Sequence, residues 1–286
     1  MNSIAACVKR QALAVFCALT IALSFAATQL PVPGEIVPVV MVFVPTLVAL
    51  SLTAMTDGWE GVWAVASKLG QWRVRLKWII SALALGLVLR MTMSGIAVVL
   101  GLIPAIHLRP WTPMQLAIFA VMLFIFAIPE ELGWRGYALP KLLTTQSPLV
   151  AGLIIGVAWG ALHLALHLPG MIYAGAPPLP TFLELIALSV VMTWLYIHSG
   201  GTILLTSLFH GAQSFFVIVN EGIPLEQQAW LMASVYVVAA LIVVIAAGPR
   251  FARKPIAPVA TTSGRDTGQP NRGRTGRACS RSNILQ

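Results

Sequence analysis

Eight apolar runs, each close to the roughly twenty residues a helix needs to cross about 30 Å of hydrocarbon, account for most of this chain. They fall at about 11–30, 36–56, 78–103, 113–139, 149–168, 181–198, 201–219 and 229–248. Proline, glycine and charge punctuate them, as in Gln29-Leu-Pro-Val-Pro-Gly34 and Pro177-Pro-Leu-Pro180. Only His198-Ser-Gly-Gly201 separates the sixth run from the seventh, which predicts two helices joined by a tight turn. Charged residues make up 9% of the chain, against about 25% in a soluble domain, too few to build a water-facing surface. The fold class is therefore all-α: a polytopic membrane helix bundle of about eight spans, occupying residues 1–250 and embedded in a lipid bilayer.

The net charge of +9 would suggest a nucleic-acid partner in a soluble protein. Here the basic residues sit between apolar runs, where positive charge sets orientation, and no nucleic-acid partner is expected. With a cytoplasmic N-terminus, the inside segments hold Lys9, Arg10, Lys68, Arg73, Arg75, Lys77, Arg135 and Lys141, then Arg250, Arg253 and Lys254. The outside loops hold Arg109 beside Glu35, Glu221 and Glu226. This bias predicts an even number of spans with both termini cytoplasmic, in a multi-pass membrane protein. The first run could also be read as a cleaved signal peptide, because Lys9-Arg10 precedes it and Ala26-Ala27 ends it, but it is long for one. Residues 251–286, rich in Gly, Thr, Ser and Arg, read as a basic disordered cytoplasmic tail. Cys7, Cys17 and Cys279 are too few and too dispersed for a disulfide framework or a thiolate metal site.

Ionisable residues inside spans are costly and mark function. In Glu130-Glu131-Leu-Gly-Trp-Arg135, Glu131 and Arg135 are four apart and share a helix face, so they can pair. Glu130 points about 100° away and remains available, a desolvated carboxylate suited to taking a proton from water. A structural ion-pair network is the alternative, but two adjacent acids are expensive to keep in a membrane for packing alone. In Trp159-Gly-Ala-Leu-His163, His167 follows one turn on, at the spacing of zinc-binding histidine pairs. In His210-Gly-Ala-Gln-Ser214, imidazole and hydroxyl can face one point, with Gln213 as an alternative donor. Counted from the ends of their runs, Glu130, His163 and His210 lie at depths of roughly 14, 20 and 14 Å, so all three can share one layer. Arg90 is expected to neutralise an acid such as Glu184 or to line a polar cavity; His198, at a turn, reads as exposed, and His107 lies in an outside loop.

These three motifs, over about residues 113–220, resemble the CPBP family: the CAAX prenyl-endopeptidases and the bacteriocin-processing or immunity-associated proteins also called Abi. The resemblance implies that Glu130 and His163 activate a water molecule. It further implies that His210 and Ser214 stabilise the oxyanion, and that Glu131 and Arg135 form the orienting pair. The family's prenyl-endopeptidases carry Asn where this chain has Ser214, a donor of shorter reach. The family is described both as metalloproteases and as metal-independent glutamate proteases. Glu130, His163 and His210 would also suit zinc with an open position for water, although the carboxylate pair beside Arg135 favours the direct mechanism. The expected function is an intramembrane endopeptidase acting on a membrane-anchored or prenylated peptide or lipidated protein. The alternatives are a weakly active or inactive member serving in bacteriocin self-immunity or as a membrane scaffold, and a small transporter using the acids and histidines as a proton relay. Against the transporter, the sequence shows no duplicated halves.

Overall fold

An apolar helix in lipid has no intrinsic preference for a neighbour, so small residues decide where backbones meet. The computed structural model describes residues 11–106, 112–215 and 222–251, with Ser214 and Phe215 described in their backbone alone. His107, Arg109, Glu221 and the expected tail lie outside the described residues, as does the side chain of Ser214. Every regular element among the described residues is helical: α1 (Ala12–Ala27), α2 (Val37–Met41), α3 (Val44–Ala66), α4 (Leu76–Val99), α5 (Pro113–Leu142), α6 (Pro148–His163), α7 (Pro178–His198), α8 (Ile203–Phe215) and α9 (Leu225–Ala247). Six of the segments are long and apolar enough to cross a membrane, and α1 is shorter at 16 residues. The protein is a multi-pass membrane helix bundle.

Along α6, Gly152, Gly156 and Gly160 recur every fourth residue and form a flat stripe against α7. A Cβ on Gly156 would stand 2.6 Å from Ile186 Cα, and one on Gly160 2.7 Å from the Phe182 ring. α7 also packs on α9, α4 packs on α8 and α9, and α1 packs on α3 and α6. Gly133 does for α5 and α3 what the stripe does for α6 and α7, since its Cβ would lie 2.5 Å from the backbone of Pro45.

α5 carries both acids and is irregular. Its α-helical turns give way to π turns at Leu123–Ala127 and Leu132–Ala138, on either side of Glu130 and Glu131. Pro129 and Pro140 lie beside these turns, and neither has an N–H for the carbonyl four residues back. For Pro140 that carbonyl belongs to Gly136, and Lys68 Nζ donates to it at 2.5 Å. The Pro129 carbonyl accepts from the Thr46 hydroxyl of α3. The wide turns that aim the acids inward are thus held by α3 and the segment after it.

Three expectations change. The run predicted to end near residue 56 continues to Ala66 through a left-handed bend at Gly58 (φ 69°). Beyond the bend, Trp59 and Trp63 are exposed while Val62 and Val65 are buried. That amphipathic pattern suits a membrane interface. Arg135, counted above with the loop cations, is fully buried inside α5. His198 is half-buried, its ring 4.8 Å from that of Trp194 and its Nδ1 2.9 Å from the Trp194 carbonyl. The turn between α7 and α8 is present, and Thr202 there donates to the Gln71 carbonyl at 3.0 Å. Leu149 N–H reaches the Pro249 carbonyl at 3.3 Å. These contacts collect the segments bearing Lys68, Arg73, Arg75, Lys77, Lys141 and Arg250 at one end of the bundle.

Candidate active site

α5, α6 and α8 each bring one chemistry-bearing stretch to a shared buried point. The π turn after Glu131 keeps Arg135 in register, and Arg135 Nη1 donates to Glu131 Oε1 at 2.8 Å with both side chains fully buried. The guanidinium also reaches Ser189 Oγ of α7 at 3.2 Å and lies 5.1 Å over the Trp159 ring. The sequence pairing of Glu131 with Arg135 is therefore present as a closed ion pair. Glu130, 3% exposed, turns the other way and accepts a hydrogen bond from Trp159 Nε1 at 2.5 Å.

His210 sits between the two carboxylates. Its Nε2 lies 4.0 Å from Glu130 Oε2 and its Nδ1 3.3 Å from Glu131 Oε1, the latter off the line of a hydrogen bond. His163 completes the group from α6: its Nδ1 lies 2.9 Å from the Trp159 carbonyl, which makes Nδ1 the protonated nitrogen and leaves the Nε2 lone pair for another partner. The Trp159 indole lies edge-on to both imidazoles, at 5.8 Å from His163 and 5.2 Å from His210. Glu130, Glu131, His163 and His210 are thus one cluster, as the depth argument expects, and Trp159 is its centre.

Two sequence expectations are redrawn. His167 does not join His163 on one face, because the helix tightens into a 3₁₀ turn over Leu164–His167 and His167 Nδ1 turns to the Ala176 carbonyl at 3.0 Å. Gln213 is drawn away from His210: its Oε1 accepts from Arg90 Nη2 at 3.2 Å and from the Tyr236 hydroxyl at 3.1 Å. Arg90 lines a cavity of about 380 Å³ whose walls are mostly apolar, with His163, Tyr173, Glu184 and Gln213 as its other polar lining groups near the cluster. Trp159 is the residue whose role sequence reasoning missed. The usable signal was its N–H, which inside a bilayer must find an acceptor.

Among the described residues no group of three or more His, Cys, Asp or Glu side chains comes together closely enough to hold a metal ion. Arg135 takes Glu131 Oε1 and Trp159 takes Glu130 Oε1, while Glu131 Oε2 has no hydrogen-bond partner among the described residues.

Residues 112–216 match the sequence model of the family described as type II CAAX prenyl endopeptidase Rce1-like, a segment that contains all three motifs. A curated relative, CAAX prenyl protease 2 of Methanococcus maripaludis, is 28% identical over 107 residues, which are 35% of this chain and 38% of the relative. The chain thus spans well under half the length of the curated relative it matches. Over residues 112–216 the chain is thus similar to the CAAX prenyl endopeptidases, and the three motifs that this segment carries meet at one buried cluster.

Proposed function

We propose that the protein is an intramembrane peptidase of the CAAX type, hydrolysing a membrane-anchored or prenylated peptide with water activated at Glu130. The observation that carries this reading is the buried cluster itself: a carboxylate held by one indole N–H, flanked by two imidazoles from two other helices. Glu130 Oε2 takes a proton from water as the oxygen attacks the scissile carbonyl carbon. His163 Nε2, the unprotonated nitrogen, accepts the second water hydrogen and fixes the attack direction. The oxyanion forms against His210 and Ser214, which donate to it, and the proton held by Glu130 passes to the leaving amine as the C–N bond breaks. Glu131 and Arg135 brace His210 and the Trp159 ring. The reading places the protein in a bacterial plasma membrane, with the basic end of the bundle cytoplasmic.

Purified protein in nanodiscs should cleave a farnesylated peptide, and Glu130→Gln should lose the activity by at least about a hundredfold while keeping its helical circular dichroism. Cleavage should persist in a strong zinc chelator. Undiminished cleavage by Glu130→Gln overturns the assignment of the base, and chelator-sensitive activity restored by zinc overturns the metal-free route. A protein that protects cells equally well with Glu130→Ala would instead serve in self-immunity or as a scaffold, the role that Ser214 in place of Asn favours.

A further inference from the structure

Arg90 lies on α4, a helix that contributes none of the motif residues, and is 1% exposed. Its Nε donates to the Gln213 carbonyl at 2.8 Å, Nη2 to Gln213 Oε1 at 3.2 Å, and Nη1 to the thioether of Met232 at 2.9 Å. None of these acceptors is charged, and sulfur is a weak one. A guanidinium carries five N–H groups, so one on each terminal nitrogen has no partner among the described residues. Glu184 of α7 lines the same cavity, yet among the described residues no hydrogen bond or ion pair joins it to Arg90. A buried cation in a membrane with no bonded counter-charge among the described residues is an unusual expense.

The cavity also reaches the candidate active site. His163 and Gly211, the residue after His210, line it together with Arg90 and Gln213. Tyr173, in the segment between α6 and α7, spans the two clusters electrostatically. Burial pushes its phenol up, Glu184 raises it further, Arg90 opposes, and Glu130 adds a smaller push. The charged and titratable groups lining this space are Arg90, Glu184, Tyr173 and His163, and Tyr236 stands behind Gln213. Its volume, about 380 Å³, falls within the range of pockets that hold small ligands, and most of its remaining lining is apolar.

We infer that Arg90 is a specificity-determining residue that receives the free C-terminal carboxylate of the substrate peptide, so that the scissile bond is set by its distance from the chain end. The inference rests on the peptidase reading above. A carboxylate would occupy both unpartnered N–H groups of the guanidinium, the planar match that arginine makes better than lysine. The apolar walls between Arg90 and His163 would then hold the few residues lying between the terminus and the cleaved bond. Gln213 orients Arg90 for this contact by accepting from two of its nitrogens, with Tyr236 holding the amide from behind.

The test compares two farnesyl-cysteine peptides that differ only at the C-terminus, one a free acid and one a primary amide. Binding is measured on the full-length Glu130→Gln protein in nanodiscs, and cleavage on the wild type. The acid should bind about tenfold or more tightly than the amide, the effect of one charge-assisted bidentate contact. Arg90→Gln should bring the acid-to-amide ratio close to one, and Arg90→Lys should leave it between the two. The ratio is taken within each protein, so partial misfolding does not alter it. If the Arg90 variants do not fold at all, equal binding of acid and amide by Glu130→Gln still refutes the inference. Equal cleavage of both peptides by the wild type would sink the Arg90 role and leave the peptidase reading standing. Acid-selective binding without cleavage of either would do the reverse, and absence of binding by either would end both.

Discussion

Replacing Trp159 by Phe removes one N–H and leaves most of an aromatic ring, so it tests a single hydrogen bond at the centre of the cluster. In the wild type that N–H donates to Glu130 Oε1 at 2.5 Å in a site where Glu130 is 3% exposed. A hydrogen bond to a charged group contributes about 1.5–3 kcal/mol, and its loss in a buried site leaves the carboxylate undersatisfied. Phe retains part of the face that Arg135 covers at 5.1 Å and part of the edge contacts to His163 and His210. The hydrogen bond therefore dominates the change. If it holds Glu130 in position for attack, about 1.5–3 kcal/mol appears in the barrier and kcat falls by roughly tenfold to a hundredfold. KM should move by less than threefold, because Trp159 does not line the cavity that receives the peptide. The assay is steady-state cleavage of a farnesylated peptide in nanodiscs, run beside thermal unfolding followed at 222 nm. A Trp159→Phe protein that unfolds near the wild-type temperature and keeps kcat within twofold would refute the claim that the indole N–H organises the base.

The Glu131–Arg135 pair should show the asymmetry of a buried ion pair. Arg135→Ala is expected to destabilise by about 3–5 kcal/mol, seen as loss of folded protein in detergent, whereas Glu131→Ala/Arg135→Ala together should recover part of that yield. Gly156→Ala should cost about 1–3 kcal/mol in thermal stability, because its Cβ would meet Ile186 Cα at 2.6 Å, and Gly156→Leu should prevent α6 from docking on α7. An unchanged melting curve for Gly156→Leu would show that the stripe is not an interface. Ser214→Asn should raise kcat by about tenfold or more, a fraction of the ~10²–10³ that one oxyanion donor is worth, while leaving KM unchanged. A fall in kcat would show that the hydroxyl suits the site better than the amide.

Much of this arrangement was legible in the sequence, because a membrane forces polar residues to declare themselves. Glu130, Glu131, His163 and His210 stood out against apolar runs, and the i, i+4 spacing of Glu131 and Arg135 gave the ion pair before any geometry was known. Trp159 was visible in the motif that ends at His163 but suggested no role of its own, since an indole in an apolar helix has the composition of a lipid-facing or core residue. Only its N–H, which needs a partner, distinguishes it. His167 misled because spacing on a helix assumes that the helix continues, and a 3₁₀ turn begins one residue after His163. The π turns around the acids left no pattern of their own beyond Pro129 and Pro140, which show where a backbone bond is missing but not which neighbour supplies it. Arg90 was visible as an oddity, but its partners came from α8 and α9, at sequence separations of 123 and 142 residues that no local spacing encodes.

Lys68 closes the segment that follows the Gly58 bend, and its ammonium is bonded to the Gly136 carbonyl of α5. Ahead of it, Trp59 and Trp63 present exposed indoles, the residues that settle at the boundary between headgroups and acyl chains. The helix bearing Glu130 is thus coupled mechanically to a float riding on the membrane surface. Lipids with shorter or longer tails would raise or lower that float relative to the bilayer midplane, and the load would fall on the wide turns beside the two acids. Acyl-chain length, a property of the solvent rather than of the peptide, then becomes a variable that sets how deep the cluster sits.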